Sequence, residues 1–206
     1  MPLKILLLRH GQTQGNLERR YIGSTDQPLC PQGRAALEGR TMPPVDRVYV
    51  SPLRRCRDTA AILYPGLPQE VVPDLRECSF GAFELHTYEE LKGDAAYQAW
   101  LDSGGISAPP GGEGKASQQA RTVRAFRELA ASQPKGTAAL VVHGGTIMSL
   151  LEALEGADID LSFLREKAAE GAYLSYGQYM EIVSLGGTEE MLLPDYGDGY
   201  EADHPL

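Results

Sequence analysis

Cysteine is scarce in this chain of 206 residues. Cys30, Cys56 and Cys78 are too few and too scattered for a disulfide framework, and no C-x-x-C occurs. Positive charge is also short, with 19 Lys and Arg against 28 Asp and Glu and a formal net charge of −9. That balance argues against a general nucleic-acid binder, because a phosphate backbone demands a basic surface. It leaves room for a small anionic ligand, since the field inside a cleft can oppose the net charge. Long apolar runs are missing as well. Ile5 to Leu8 stops at Arg9-His10, too short for a signal sequence, and no stretch approaches the roughly 20 apolar residues of a membrane span. These absences read as a soluble, cytoplasmic protein kept in a reducing compartment, with no membrane or nucleic-acid partner.

What the chain does have is a series of short, wholly apolar runs: LKILLLRHG at the start, VDRVYVSP at 45–52 and AALVVHGG at 138–145. Runs of this kind suit strands buried on both faces of a parallel sheet. Helical patterns lie between and after them. Arg54–Leu63 is one. Ala116 to Ser132 is another, with Ala116, Ala120, Val123, Phe126 and Ala130 at spacings of three and four, and Thr146–Leu154 is a third. Strands alternating with helices predict an α/β fold, a three-layer sandwich with a mostly parallel central sheet and helices on both faces. With no interior linker, residues 1–206 read as one domain. Two stretches stand apart: residues 81–114, read as a helical and loop insertion near the active-site edge, and an acidic tail at 193–206, read as a frayed end. Tyr97 and Trp100 are expected to pack the insertion onto the sheet, and His86 and His204 to be surface residues.

One tetrapeptide pattern occurs twice. His10-Gly11-Gln12-Thr13 ends the first apolar run and His143-Gly144-Gly145-Thr146 ends the third. Ligands of open α/β sheets bind beyond the carboxyl ends of the strands, so two strands could deliver both histidines to one site. The glycines permit close backbone approach, and both threonines are suited to cap the helices that follow.

Arg9-His10-Gly11-Gln12-Thr13 with Asn16 resembles the R-H-G-x-T-x-x-N signature of the histidine phosphatase superfamily, the phosphoglycerate-mutase-like group. The resemblance continues through Gly23-Ser24-Thr25-Asp26-Gln27-Pro28-Leu29, Ser51-Pro52-Leu53-Arg54-Arg55-Cys56 with Thr59-Ala60, Leu75-Arg76-Glu77, Gly111-Gly112-Glu113 and Val142-His143-Gly144-Gly145. Six blocks in family order between residue 5 and about residue 150 make it specific. The resemblance implies a metal-independent phosphomonoesterase, without cofactor, acting on a small phosphorylated metabolite through a phosphohistidine. His10 would be the nucleophile and Glu77 the acid and base. Arg9, Arg55 and His143 would hold the transferred phosphate, with Asn16, Thr13, Gly23 and Gly144 as further contacts. A neutral imidazole suits the attack, and arginine forks suit the phosphoryl oxygens.

Two alternatives share this fold: a cofactor-dependent phosphoglycerate mutase and a non-catalytic phosphate-binding module. Residues 84–120 hold six acids (Glu84, Glu89, Glu90, Asp94, Asp102, Glu113) against Lys92 and Lys115, a lid expected to repel a bisphosphate. Neither the nucleophile nor the acid is lost, which disfavours the binding module. Phe80-Gly81-Ala82-Phe83-Glu84 and the short length look most like bacterial alpha-ribazole phosphatases and their broad-specificity relatives. Three departures from the family pattern touch substrate selection: Cys56 for alanine, Leu85-His86 for glycine and a basic residue, and Gly114 for serine. Oligomeric state stays open, a homodimer among the options.

Overall fold

A computed structural model describes residues 3–154 and the backbone of a strand at 179–183; the acidic tail and His204 lie outside the described residues. The three apolar runs are strands β1 (Leu3–Arg9), β2 (Arg47–Val50) and β4 (Gly136–Val142), joined by β3 (Gln69–Val71) and β5 (Tyr179–Val183). The sheet order is β3-β2-β4-β1-β5. All neighbours run parallel except β5, which pairs antiparallel with β1. Two strands were not expected. β3 is three residues long and mostly exposed, so no apolar run marks it, and β5 lies beyond the segments in which strands were read.

Alternation along β1 divides the core. Ile5 and Leu7 face a cluster with Phe126, Leu129, Ile147 and Leu150, whereas Leu6 and Leu8 face a cluster with Cys56, Ala60 and Leu63. A fully buried aliphatic side chain is worth roughly 1.5–3 kcal/mol, so one strand anchors both outer layers. Helices therefore cover both faces, as the sequence predicts. Helix α3 (Arg54–Leu63) lies on one face, and α6 (Lys115–Ser132) and α7 (Gly144–Leu154) on the other. The short helices α1 (Gln14–Leu17) and α2 (Pro31–Ala35) follow β1.

The face of α6 differs from expectation. Its buried residues are Gln118, Arg121, Thr122, Ala125, Phe126 and Leu129, while Ala116 and Ala120 are exposed. Polar side chains occupy the inward stripe near the start of the helix because that end meets the functional site rather than the core. Helix α7 begins at Gly144, two residues earlier than predicted, with Ile147 N–H donating to the His143 carbonyl.

The insertion carries α4 (Tyr88–Leu91), α5 (Ala95–Asp102) and a loop to Gly114. Phe83, Leu91 and Tyr97 form a small separate core with Tyr21, Phe80 and Trp100 packed against it, so Tyr97 and Trp100 pack within the insertion and against the segment after α1 rather than onto the sheet. Backbone bonds between Tyr21 and His86 and between Leu85 and Tyr21 tie the insertion to the segment after α1. His86 is exposed.

Candidate active site

Parallel register places Arg9 opposite Val142, so the next residues, His10 and His143, leave neighbouring strand ends side by side. Their ring centroids are 5.1 Å apart and both residues are buried. His10 Nδ1 lies 2.7 Å from the Gly11 carbonyl. Only a protonated Nδ1 can bond a carbonyl, so this contact assigns the tautomer and leaves the lone pair on Nε2. His143 is held from the other side, its Nε2 lying 2.7 Å from Ser51 Oγ. Burial first, and then the Arg55 guanidinium, hold both imidazoles well below their usual pKa. Both rings are therefore neutral at pH 7.

Arg55 is fully buried on the first turn of α3. Its Nε–H is shared between His10 Nε2 and His143 Nδ1, each at 3.2 Å. Its two outer nitrogens donate to the carbonyls of Thr25 (2.9 Å) and Gly23 (2.7 Å). Thr59, one turn on, accepts from Gly11 N–H and donates to the Arg55 carbonyl, locking the helix against the His10 loop. Arg54, its neighbour, is exposed.

Glu77 is buried and reaches the same strand ends. Its carboxylate accepts from Gly145 N–H (3.0 Å), Gln118 Nε2 (2.8 Å) and Cys78 N–H (3.0 Å). A Cβ on Gly145 would stand 2.6 Å from Glu77 Oε1, so only glycine allows this approach. Arg121 holds the segment from behind by donating to the carbonyls of Asp74, Arg76 and Glu77.

The structure brings together His10, Arg55, His143 and Glu77, with Gly144 against the Arg9 guanidinium. Gly23 presents its carbonyl to Arg55, and a side chain there would collide with the Cys78 carbonyl. Thr13 is buried, and its hydroxyl is committed to a capping box with Asn16 at the start of α1. Thr146 is not a cap. It sits inside α7, because that helix starts at the glycines, and its hydroxyl donates to the Leu75 carbonyl at 3.4 Å.

Five of the six acids expected in the lid are committed to partners within the fold. Glu113 makes a two-pronged pair with Arg121 at 2.8 and 2.6 Å, Glu90 meets Arg20, Glu89 meets Lys92, and Asp94 caps α5. Glu84 accepts from the backbone N–H groups of Gly23, Ser24, Thr25 and Phe80 and from the Thr25 hydroxyl at 2.6 Å. Burial pushes this carboxyl up, but the bonds from Thr25, Phe80, Ser24 and Gly23 outweigh it and hold the pKa below the usual range. Glu84 thus braces the loop whose carbonyls orient Arg55. Ser51, Gln118 and Arg121 were equally unforeseen. The available signal for the last two was a polar interruption of the buried stripe of α6.

Comparison with known proteins settles the lineage. The family model for the histidine phosphatase superfamily (branch 1) matches residues 5–173. The chain belongs to that superfamily. It is 30% identical to the adenosylcobalamin/alpha-ribazole phosphatase of Salmonella typhimurium over 74% of this chain and 79% of the relative. It is 36% identical to the glucosyl-3-phosphoglycerate phosphatase of Mycobacterium tuberculosis over 73% of this chain and 74% of the relative. The crystal structure of an Entamoeba histolytica phosphoserine phosphatase in complex with 3-phosphoglyceric acid superposes with a TM-score of 0.68 at 26% identity, covering 87% of this chain and 89% of the other. Like its phosphatase relatives, this superfamily member is a phosphoric monoester hydrolase. Among the described residues no helix is long and apolar enough to cross a membrane.

Proposed function

We propose that the chain hydrolyses its phosphomonoester in two steps through a phosphohistidine at His10, as a single catalytic domain and without a metal. The supporting observation is the bond from His10 Nδ1–H to the Gly11 carbonyl, which leaves Nε2 as the nucleophilic nitrogen. In the first step Nε2 forms a bond to phosphorus, the bond from phosphorus to the ester oxygen breaks, and Glu77 gives a proton to the departing alkoxide. Arg9 and Arg55 hold the peripheral oxygens, and His143 joins them when phosphate replaces its bond from Arg55 and Ser51 Oγ–H donates to Nε2, which leaves Nδ1–H as the donor. Fixed donors in a buried site need little reorganisation as charge shifts. Asn16 and Gly144 border the bound phosphate, whereas Thr13 and Gly23 support it through the backbone. In the second step Glu77 takes a proton from water, the resulting oxygen attacks phosphorus, and the P–N bond breaks to release inorganic phosphate and restore His10.

Hydrolysis is favoured over mutase chemistry by the relatives, which are named as phosphatases. The free thiols of Cys30, Cys56 and Cys78 are in keeping with a reducing, cytoplasmic setting.

Rapid quench with a radiolabelled ester tests the reading. An acid-labile, alkali-stable label on the peptide containing His10 is expected; label on a thiol or carboxylate overturns it. Glu77→Gln should slow an alkyl phosphate about 10²- to 10⁴-fold but nitrophenyl phosphate much less, because nitrophenolate departs without a proton. Equal losses on the two esters would remove Glu77 from the acid role.

A further inference from the structure

A cleft of about 400 Å³ opens beside Glu77, walled by Ser24, Ser79 and Ser117, by Arg76 and Glu113, and by the glycine loop at 111–114. None of these walls is apolar or aromatic. Gly112 keeps the loop low, since a Cβ there would stand 2.5 Å from the Ser79 carbonyl. The hydroxyls are partly engaged: Ser24 donates toward Ser79 and Glu84, each at 3.2 Å, Ser79 also accepts from Gly81 N–H at 3.2 Å, and Ser117 donates to Glu113 at 3.1 Å; each keeps capacity for another bond. Arg76, half exposed and paired on one side with Asp74, adds further donors.

None of the nearby aromatic side chains lines the cleft. Tyr21, Phe80, Phe83, Tyr97 and Trp100 meet one another edge-on or tilted, and Phe83 and Tyr97 are buried within that cluster.

Because Glu77 lines this cleft and also bonds Gly145 N–H, two residues after His143, an alcohol receiving its proton from Glu77 would extend into the cleft. A flat apolar group there would strip water from three hydroxyls, a guanidinium and a carboxylate and return no hydrogen bonds. A hydroxylated group would replace that water bond for bond. Sites built from hydrogen-bonding groups discriminate strongly against ligands that cannot pair with them.

We propose that this cleft receives the leaving-group half of the ester and selects a small polyhydroxylated alcohol, a sugar or polyol, over an aromatic or nucleoside-like one. The assignment rests on the phosphohistidine reading with Glu77 as acid. It also divides the substrates named for the relatives, favouring the glycosyl kind over the ribazole kind.

The test holds the departing atom constant by using esters of primary alcohols. Glucose 6-phosphate and glycerol 3-phosphate are compared with 2-phenylethyl phosphate and alpha-ribazole 5′-phosphate. We expect kcat/KM about tenfold or more higher for the hydroxylated pair. Ser117→Leu, an exposed change on the first turn of α6, should move the ratio of glucose 6-phosphate to 2-phenylethyl phosphate at least about fivefold toward the aromatic ester. Equal or reversed preference in the wild type, or a ratio that Ser117→Leu leaves in place, overturns the assignment. Labelling of His10 by all four esters, with the aromatic pair preferred, defeats only the cleft. Failure of every ester to label His10 defeats the phosphohistidine reading and the cleft assignment with it.

Discussion

Residues 10–13 and 143–146 share the pattern H-G-x-T, end adjacent parallel strands in the same register, and yet do different things. After His10 the chain runs through a short loop before Thr13 caps α1; after His143 a helix starts at once. His10 is oriented by the carbonyl of the very next residue, whereas His143 is oriented by Ser51, which is 92 residues away in the chain. The first ring therefore carries its lone pair on Nε2, and the second, bonded through Nε2, turns Nδ1 toward Arg55. The motif fixes the position of an imidazole, and the partner of its other nitrogen fixes the role. A nucleophile needs a local, permanent proton acceptor on its far nitrogen. A phosphate-holding ring can take its orientation from any element that the fold brings near.

The largest expected effect separates the two rings directly. His10→Ala should abolish turnover and the covalent label together. His143→Ala should cost about 10²- to 10³-fold in turnover, the scale of one lost transition-state donor, while the label still forms on His10. Quenched-flow labelling of both variants checks this. Label on His143 in the His10→Ala protein would make the two rings interchangeable and break the comparison.

How far the sequence discloses such differences depends on range. The buried strands β1, β2 and β4 and the helix α3 follow from apolar runs and short-range spacing, and six ordered motif blocks mark the residues that gather at the strand ends. Arg55 shows the limit: an arginine on a helix is ordinarily solvated, and only its Ser-Pro-Leu-x-Arg setting marks it as buried. Glu84 and Glu113 read as lid charge because their partners, the 23–25 loop and Arg121, are joined by folding rather than by any period. The same holds for β3, too short and exposed to leave a pattern, and for the polar face of α6.

A smaller effect concerns what the rings share. Both are buried with pKa held well below 6.5, by burial first and Arg55 second. Below about pH 6.5 the unfolded chain takes up protons on these imidazoles that the folded protein refuses, so folding stability is lost as pH falls. Each histidine contributes a slope of up to about 1.4 kcal/mol per pH unit. Denaturant melts between pH 6.5 and 5.5 should show that slope halved by His10→Asn or by His143→Asn. If only one substitution flattens it, the rings differ in protonation as well as in partner. If neither does, their neutrality in the folded protein is refuted.

The smallest effect lies in the threonines. Thr→Val keeps the shape and removes only the hydroxyl, so the same change at both positions compares a cap with a residue in the first turn of a helix. At Thr13 the hydroxyl accepts from Asn16 N–H and donates to Asn16 Oδ1, closing a capping box over α1. Losing a cap of this kind costs about 1 kcal/mol. At Thr146 it makes a single 3.4 Å bond to the Leu75 carbonyl inside α7, long enough that a loss within about 0.5 kcal/mol is expected. Urea midpoints of the two variants at pH 7.5 measure the difference. Thr13→Val should also weaken inorganic phosphate binding, since Asn16 is positioned by that hydroxyl, whereas Thr146→Val should not. Equal destabilisation with equal loss of phosphate affinity would mean that the two H-G-x-T segments end in equivalent threonines after all, and that the divergence is confined to the rings.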